Sequence, residues 1–202
     1  MKNLRTLSLI LLALLLAAAP LRADERSTEL LRALELKVGQ MAGYEVQFML
    51  RIEGREIAGR YRVRGESYHM QVGDAEVFSD GASRWEVDPA KQEVVVDVVD
   101  PRSHNILQNP TRAFTFLDQD FTHEVRSEAA GLATLTLRPK SRSSFSEVTL
   151  VLDAATATPR LMIYRADGQE LHISITSFAE SSAPISAFDA TRYADFELID
   201  FR

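Results

Sequence analysis

Side chains that commonly bind metals are few in this sequence and widely spaced. None of the histidines has another histidine three or four residues away, and the chain has no cysteine. A metal-binding pair on a helix needs that spacing, because it places both ligands on one face. Alternation predicts that His172 faces solvent and that His123 points inward as a structural residue. His104 lies in a predicted loop, where it could titrate, and the sequence shows no partner for it.

Motifs for nucleophilic and phosphate chemistry are also missing. The chain has no G-x-S-x-G elbow and no glycine-rich phosphate loop. The sequence shows no lysine or histidine in a motif that would position it to activate a serine of SRSSFS, which is read as a solvated turn. The acidic stretch LDQD, residues 117–120, lacks the ligand run of a calcium loop. These motifs therefore predict no metal site and give no support for an enzyme, but they leave an enzyme open.

The first residues have the pattern of an export signal. Basic Lys2 and Arg5 precede an apolar run over residues 7–19, which is shorter than the roughly 20 residues that a membrane span needs. We predict a signal peptide over residues 1–23, cleaved after Ala23, and leave a membrane anchor as the alternative. Cleavage would leave 179 residues with 20 basic and 29 acidic side chains, a net charge of −9. The predicted location is the periplasm.

Charge and cysteine content narrow the function further. An acidic chain without a basic cluster is unsuited to nucleic acid and to an anionic membrane surface. Without cysteine the protein has no disulfide and no lipid anchor on an N-terminal cysteine, so it must fold on its hydrophobic core. We expect residues 24–202 to form one domain, and we expect a monomer.

The hydrophobic pattern predicts one helix and then many strands. Residues 27–41 have helical spacing, with Ser27 as the N-cap and Gly43 after the end. Period-two alternation follows, with turns at EGRE and ADGQ. Alternation stops over residues 101–120, where we predict a loop with a short helix at 111–117. The fold class is thus α+β, with an antiparallel sheet of about 11 strands. Periodicity leaves open whether this sheet surrounds a solid core or a cavity.

One hairpin carries a more specific pattern, S-D-G-x-x-x-W-x-x-[D/N]-P. It resembles the signature hairpin of the LolA-type periplasmic carriers of outer-membrane lipoproteins. The stretches GRYRVRGESYHM, LQNPTRAF and AFDATRYADFELIDFR are similar to other parts of the divergent LolA-like branch. The matching residues of the hairpin are Ser79, Asp80, Gly81, Trp85, Asp88 and Pro89.

The resemblance implies a strongly curved, unclosed β-barrel with an apolar cavity under the N-terminal helix and a short helical loop. The cavity would take acyl chains of lipoproteins from an inner-membrane ABC transporter and deliver them to the outer membrane, or to an acceptor there. The resemblance thus implies a protein that is not an enzyme, with no catalytic residue and no cofactor. In place of the family's Arg-Pro pair, whose arginine helps to hold the lid, this chain has Arg64-Gly65. Arg64 would take the lid role, but its alternation with Val63 also allows it to face solvent. The expected lining is Phe48, Leu50, Tyr61, Val63, Tyr68, Met70, Trp85, Val94, Val96, Phe114, Phe116 and Leu117.

Two other functions remain open on the sequence alone. The same fold could serve as a periplasmic domain that senses a lipid and reports it to a partner protein, or it could carry a different lipid. Trp85 also has two interpretations, as a stiff cavity wall fixed by turns at both ends or as ordinary core packing.

Overall fold

The structure, a computed structural model, describes residues 19–116 and 120–202, with side chains from residue 25 onward. Its helix, α1 (Ala19–Gly39), begins earlier than the sequence predicts. The apolar stripe on α1 buries Leu30, Leu31 and Leu34 against the sheet. Ser27 is therefore not the N-cap. It lies inside the helix, fully buried, with its Oγ 2.8 Å from Nδ1 of His123.

Twelve strands form one sheet in the order β12-β6-β5-β4-β3-β2-β1-β11-β10-β9-β8-β7. All neighbouring strands are antiparallel except β12 and β6, which are parallel. The strands are β1 (Tyr44–Ile52), β2 (Arg55–Arg64), β3 (Ser67–Val72), β4 (Ala75–Ser79), β5 (Ser83–Asp88), β6 (Glu93–Val98), β7 (Phe121–Ala129), β8 (Leu132–Pro139), β9 (Glu147–Asp153), β10 (Thr158–Ala166), β11 (Gln169–Glu180) and β12 (Glu197–Asp200).

The α+β class is confirmed, with one strand more than the estimate of about 11. The additional strand is β12, in the C-terminal tail, where the stretch FDATRYADFELIDFR indicates a turn and allows a last strand. The strand order is open, because β7 and β12 form its two edges and are not hydrogen-bonded to each other. The strong curvature implied by the resemblance stays a prediction.

The tight turns form where the sequence predicts them. In EGRE, Glu53 and Gly54 have φ values of 50° and 76°, and in ADGQ, Asp167 and Gly168 have 49° and 76°. Two consecutive positive φ angles are the geometry of a type I′ turn, whose twist matches that of the flanking strands. These turns fix the registers of the β1–β2 and β10–β11 hairpins, and thereby decide which residues of each strand share a face.

A long connection between β6 and β7 lies over one face of the sheet. Residues 100–116 of this connection are called the cover segment here. They contain one short 3-10 helix, Pro110–Arg112, whose first turn is capped by the side chain of Asn109. The short helix predicted at 111–117 is present in part, as this 3-10 helix, and an i→i+3 hydrogen bond from the Thr115 N–H to the Arg112 carbonyl follows it. Residues 117–119 lie outside the described residues.

The core is divided between the two faces of the sheet. The main apolar cluster joins β1–β3 and β8–β11 to α1 and the cover segment. A second apolar cluster lies on the other face of β4, β5 and β6. Register explains the division. Val77 of β4 pairs with Met70 and joins the main cluster, whereas the next residue, Phe78, pairs with Trp85 and faces the opposite way.

Candidate functional site

The main apolar cluster is the candidate lipid-binding site, because it is the large apolar interior that the cover segment closes. Its centre is a group of aromatic rings from β1, β2, β11 and the cover segment. The ring centroids of Tyr44 and Tyr61 are 6.2 Å apart, and those of Tyr61 and Phe48 are 6.1 Å apart. Phe114 of the cover segment packs edge-on against Phe178 at 5.5 Å. Side chains therefore fill this interior, and an acyl chain would enter only if they moved.

Three tyrosines of the sheet hold the cover segment in place. The hydroxyl of Tyr44 donates to the carbonyl oxygen of Pro110, and that of Tyr68 donates to that of Gln108, both at 3.0 Å. The hydroxyl of Tyr164 donates to the carbonyl oxygen of His104 at 3.0 Å and accepts from the backbone N–H of Ile106 at 3.2 Å. The sheet thus supplies partners for backbone groups that would otherwise be buried without them.

Tyr61 lies among these tyrosines but differs from them. It is 1% exposed, and its hydroxyl has no hydrogen-bond partner within residues 25–116 and 120–202. Burial raises the pKa of Tyr44, Tyr61 and Tyr164 above the usual range of a tyrosine. These phenols are therefore neutral near pH 7, and their hydroxyls can donate hydrogen bonds.

His104 is part of the cover segment and is buried. Its ring lies 4.8 Å from that of Phe121 and 5.8 Å from that of Phe116, and Nδ1 is 3.2 Å from the carbonyl oxygen of Arg112. Its contacts indicate a structural role. His104 does lie in a loop, as the sequence predicts, but this loop packs its apolar side chains against the sheet.

Most of the predicted lining residues come together in the main cluster, and three do not. Trp85, Val94 and Val96 belong to the second cluster, on the opposite face of the sheet. Leu117 lies outside the described residues. The residues that do meet in the main cluster are Phe48, Leu50, Tyr61, Val63, Tyr68, Met70, Phe114 and Phe116.

Arg64, the expected lid residue, lies elsewhere. It is exposed at the end of β2, and its guanidinium donates to the backbone carbonyl of Ser182, in the C-terminal segment. Its position alternates with buried Val63, so its side chain leaves from the opposite face of the strand. The hydrogen bonds to the cover segment come instead from Tyr44, Tyr68 and Tyr164. The sequence shows Tyr44 and Tyr164 only as apolar-face residues, so the pattern could not reveal their role.

An open hollow lies beside the main cluster on the β1–β2 side. It has a volume of about 400 Å³ and is lined by Phe48, Gly59, Gly73 and Thr176 among others. Gly59 allows close packing here, because a Cβ at this position would lie 2.3 Å from Cζ of Phe48. The Phe48 ring therefore forms the boundary between this hollow and the interior.

Tail residues from the C-terminal end cover the second cluster. The buried members are Phe78, Val87, Val94 and Val96, and Trp85 packs against them with the tail residues Phe188, Tyr193 and Phe196. The ring of Trp85 therefore packs between the sheet and the tail, as an ordinary core side chain does.

Neither a metal-binding cluster nor a membrane-spanning helix occurs in the described part of the chain. Within it, no group of three or more histidine, aspartate or glutamate side chains could hold a metal ion. None of its helices is long and apolar enough to cross a membrane.

Comparisons with known proteins place the chain in a family. Its fold is similar to the crystal structure of an uncharacterized conserved protein from Thermus thermophilus, with a TM-score of 0.54 and 11% identity over 86% of this chain and 98% of that one. The crystal structure of MucB matches with a TM-score of 0.46 and 16% identity, over 79% of this chain and 60% of MucB. The crystal structure of a LolA superfamily protein from Nitrosomonas europaea matches with a TM-score of 0.43 and 9% identity, over 78% of this chain and 94% of that chain.

Among curated proteins, none matches this sequence. The family described as "Outer membrane lipoprotein carrier protein LolA" matches residues 72–191, more than half of the chain. That segment includes the Trp85 hairpin, the cover segment and most of the C-terminal half of the sheet. Its family points to a carrier, which is a non-enzymatic role, and proteins of this family are periplasmic. The chain belongs to the LolA family of outer-membrane lipoprotein carrier proteins.

Proposed function

We propose that this protein is a periplasmic carrier that shields the acyl chains of lipoproteins in its main apolar cluster and moves them from the inner to the outer membrane. The observation that carries the proposal is the cover segment, which closes a large apolar interior and is held by hydrogen bonds to tyrosines of the sheet. Family membership supports lipoproteins as the cargo. An inner-membrane ABC transporter would load it, and the outer membrane, or an acceptor there, would receive the cargo.

The hydrogen bonds broken on opening are within what one bound acyl chain can offset. Opening breaks the four hydrogen bonds that Tyr44, Tyr68 and Tyr164 make with the cover segment. Each is worth about 0.5–1.5 kcal/mol net. Burial of one methylene group gains about 0.8 kcal/mol, so roughly three to eight buried methylene groups offset the broken bonds. A lipoprotein acyl chain is long enough to supply these, and reclosure of the segment favours release.

Lipid binding is the first test. A neutral glycerol ester of a fluorescent fatty acid should bind the purified protein at one site, and a tri-acylated peptide should displace it. A photo-crosslinking amino acid at position 114, in the cover segment, should attach to the acylated peptide. The same group at position 85 is the matched control and should not, because Trp85 lies on the opposite face. Equal crosslinking at both positions would contradict the proposal. So would the absence of both lipid binding and crosslinking.

A second experiment must distinguish a lipid carrier from a lipid sensor, because both would bind the same lipid. The protein should release acylated peptide from vesicles that contain a lipoprotein-releasing transporter and then deliver it to acceptor vesicles. A sensor would bind the lipid without delivering it, and a carrier for another lipid would copurify with that lipid in place of an acylated protein.

Periplasmic location is also part of the proposal. We propose that residues 1–23 are a cleaved signal peptide and that residues 24–202 form the single carrier domain, acting as a monomer. N-terminal sequencing of periplasmic material should begin at Asp24. Recovery of the protein with residues 1–23 still attached would contradict this.

A further inference from the structure

Tyr61 has a polar atom at the centre of an apolar site, and nothing in the described structure uses it. Its strand neighbours across the sheet are Val46 on β1 and Met70 on β3, both buried. The nearest aromatic rings are those of Tyr44 and Phe48. Within the two described stretches its hydroxyl makes no hydrogen bond. A buried hydroxyl without a partner costs free energy, and phenylalanine would fill the same space without that cost.

The position of Tyr61 suggests which partner is missing. The strands β2 and β3 both lie against the 3-10 helix Pro110–Arg112 of the cover segment. Tyr44, in ring contact with Tyr61, donates to the Pro110 carbonyl of that helix. Displacement of the cover segment would therefore bring a ligand beside the Tyr61 hydroxyl, at the place where an acyl chain enters the interior.

The chemistry of the surroundings limits the polar group that could lie there. The buried polar residues of the described part are Ser27, Ser79, His104, Asn109 and Thr136, and none carries a fixed positive charge. A carboxylate would thus be buried without a compensating charge, which is strongly unfavourable. A neutral carbonyl oxygen needs only a donor, and burial keeps the Tyr61 phenol protonated.

We propose that the Tyr61 hydroxyl donates a hydrogen bond to the ester or amide carbonyl that joins a bound acyl chain to its headgroup. The inference rests on the proposed function, because it assumes that an acyl chain occupies the main apolar cluster. It adds to that function a preference for the type of bond that links the acyl chain to its headgroup. The site would favour chains attached through a carbonyl over ether-linked chains and over free fatty acids.

The test compares two neutral lipids that differ only at the carbonyl. The probes are 1-palmitoylglycerol, an ester, and 1-O-hexadecylglycerol, its ether counterpart. The wild-type protein should bind the ester more tightly, by roughly fivefold, the value of one neutral hydrogen bond. The variant Tyr61→Phe should lose this difference by weakening only ester binding. Its melting temperature should equal or exceed that of the wild type, because a hydroxyl without a partner is removed.

Tyr68→Phe is the matched control. This variant also removes one tyrosine hydroxyl from the same face, but that hydroxyl holds the cover segment. It should change the affinity for both lipids by the same factor and preserve the ester preference. If Tyr61→Phe keeps the wild-type ester-to-ether ratio, or if it markedly lowers the melting temperature, the assignment of Tyr61 is wrong. If neither lipid binds the wild-type protein, the carrier function itself fails.

Discussion

The indole of Trp85 stacks on the ring of Phe188, with centroids 5.4 Å apart and planes only 6° from parallel. Phe188 in turn stacks on Tyr193, at 5.6 Å and 4°. The single tryptophan therefore joins the signature hairpin to the C-terminal segment, on the face of the sheet away from the main cluster. This relationship changes what the tryptophan can report. Its emission should respond to the packing of the tail and not to lipid in the interior.

Phe188→Ala tests that relationship. Loss of the stacked ring should expose the indole, shift its emission to longer wavelength and lower the free energy of unfolding by about 1–3 kcal/mol, below the value for a fully buried phenylalanine. Phe201→Ala is the control, because Phe201 is 67% exposed and should affect neither quantity. Addition of lipid should leave the emission of the wild type unchanged. A lipid-induced shift to shorter wavelength would show instead that Trp85 lines the lipid-binding cavity.

Tyr164→Phe tests the attachment of the cover segment. It removes the partner of both the Ile106 N–H and the His104 carbonyl, which are buried, so unfolding should become easier by about 1–3 kcal/mol. Amide hydrogen exchange should accelerate in the cover segment more than in α1. The control is Tyr193→Phe, since the Tyr193 hydroxyl has no partner in the described chain and its loss should be neutral. Equal effects of the two variants would exclude a specific role for Tyr164.

Gly59→Ala tests the contact between Phe48 and the backbone of β2. The added methyl would lie 2.3 Å from Phe48 Cζ, so the ring must move, at a cost of about 1–3 kcal/mol in the free energy of unfolding. Combining it with Phe48→Leu should recover part of this loss, because the smaller side chain makes room. Gly39→Ala is the control, with open space around its position. Additive effects of Gly59→Ala and Phe48→Leu would disprove direct contact.

His69 should make stability depend on pH. Its ring stacks on Phe78 at 4.6 Å, and burial lowers the pKa of His69, although the nearby Glu76 carboxylate partly opposes this. The pKa in the folded state thus lies below that in the unfolded state, so protonation favours unfolding. The contribution of His69 should be complete above about pH 6.5 and decline as pH falls through the folded pKa.

Denaturant unfolding at pH 7.5 and pH 5 measures this dependence. His69→Gln should reduce the loss of stability between the two values, because glutamine does not titrate. Glu76→Gln should increase the loss, since it removes the group that opposes the pKa shift. An unchanged difference in both variants would show that other groups set the acid sensitivity.

The sequence predicted the parts of the fold in which local pattern and tertiary contact agree. Alternation in β1, β2 and β3 correctly grouped Phe48, Tyr61 and Tyr68, because each strand has one buried face. It failed at β4, where Val77 and Phe78 are consecutive and both buried. An apolar residue on each face removes the period-two signal, so the sequence could not show that Trp85 faces away from the interior.

The tail and the hydrogen bonds of the tyrosines required the three-dimensional structure. The segment 181–196 has no clear period, and its position depends on the distant strands that it covers. The tyrosine hydroxyls contact backbone carbonyls about 40–66 residues away in the sequence. No local pattern encodes a partner at that distance, whereas the S-D-G hairpin was visible because its chemistry is confined to one turn.

The packing of the tail on the second cluster also bears on how the protein folds. Arg192 pairs with Glu76, 116 residues earlier in the chain, and β12 pairs with β6 from a similar separation. Contacts between such distant segments form slowly, because a long loop must close before they provide any gain. The β2–β6 hairpins can assemble locally, but one apolar side of β4–β6 stays uncovered until residues 188–200 arrive. In a chain that crosses a membrane from its N-terminus, this side would be the last to be covered, and completion of the fold would await the emergence of the final strand.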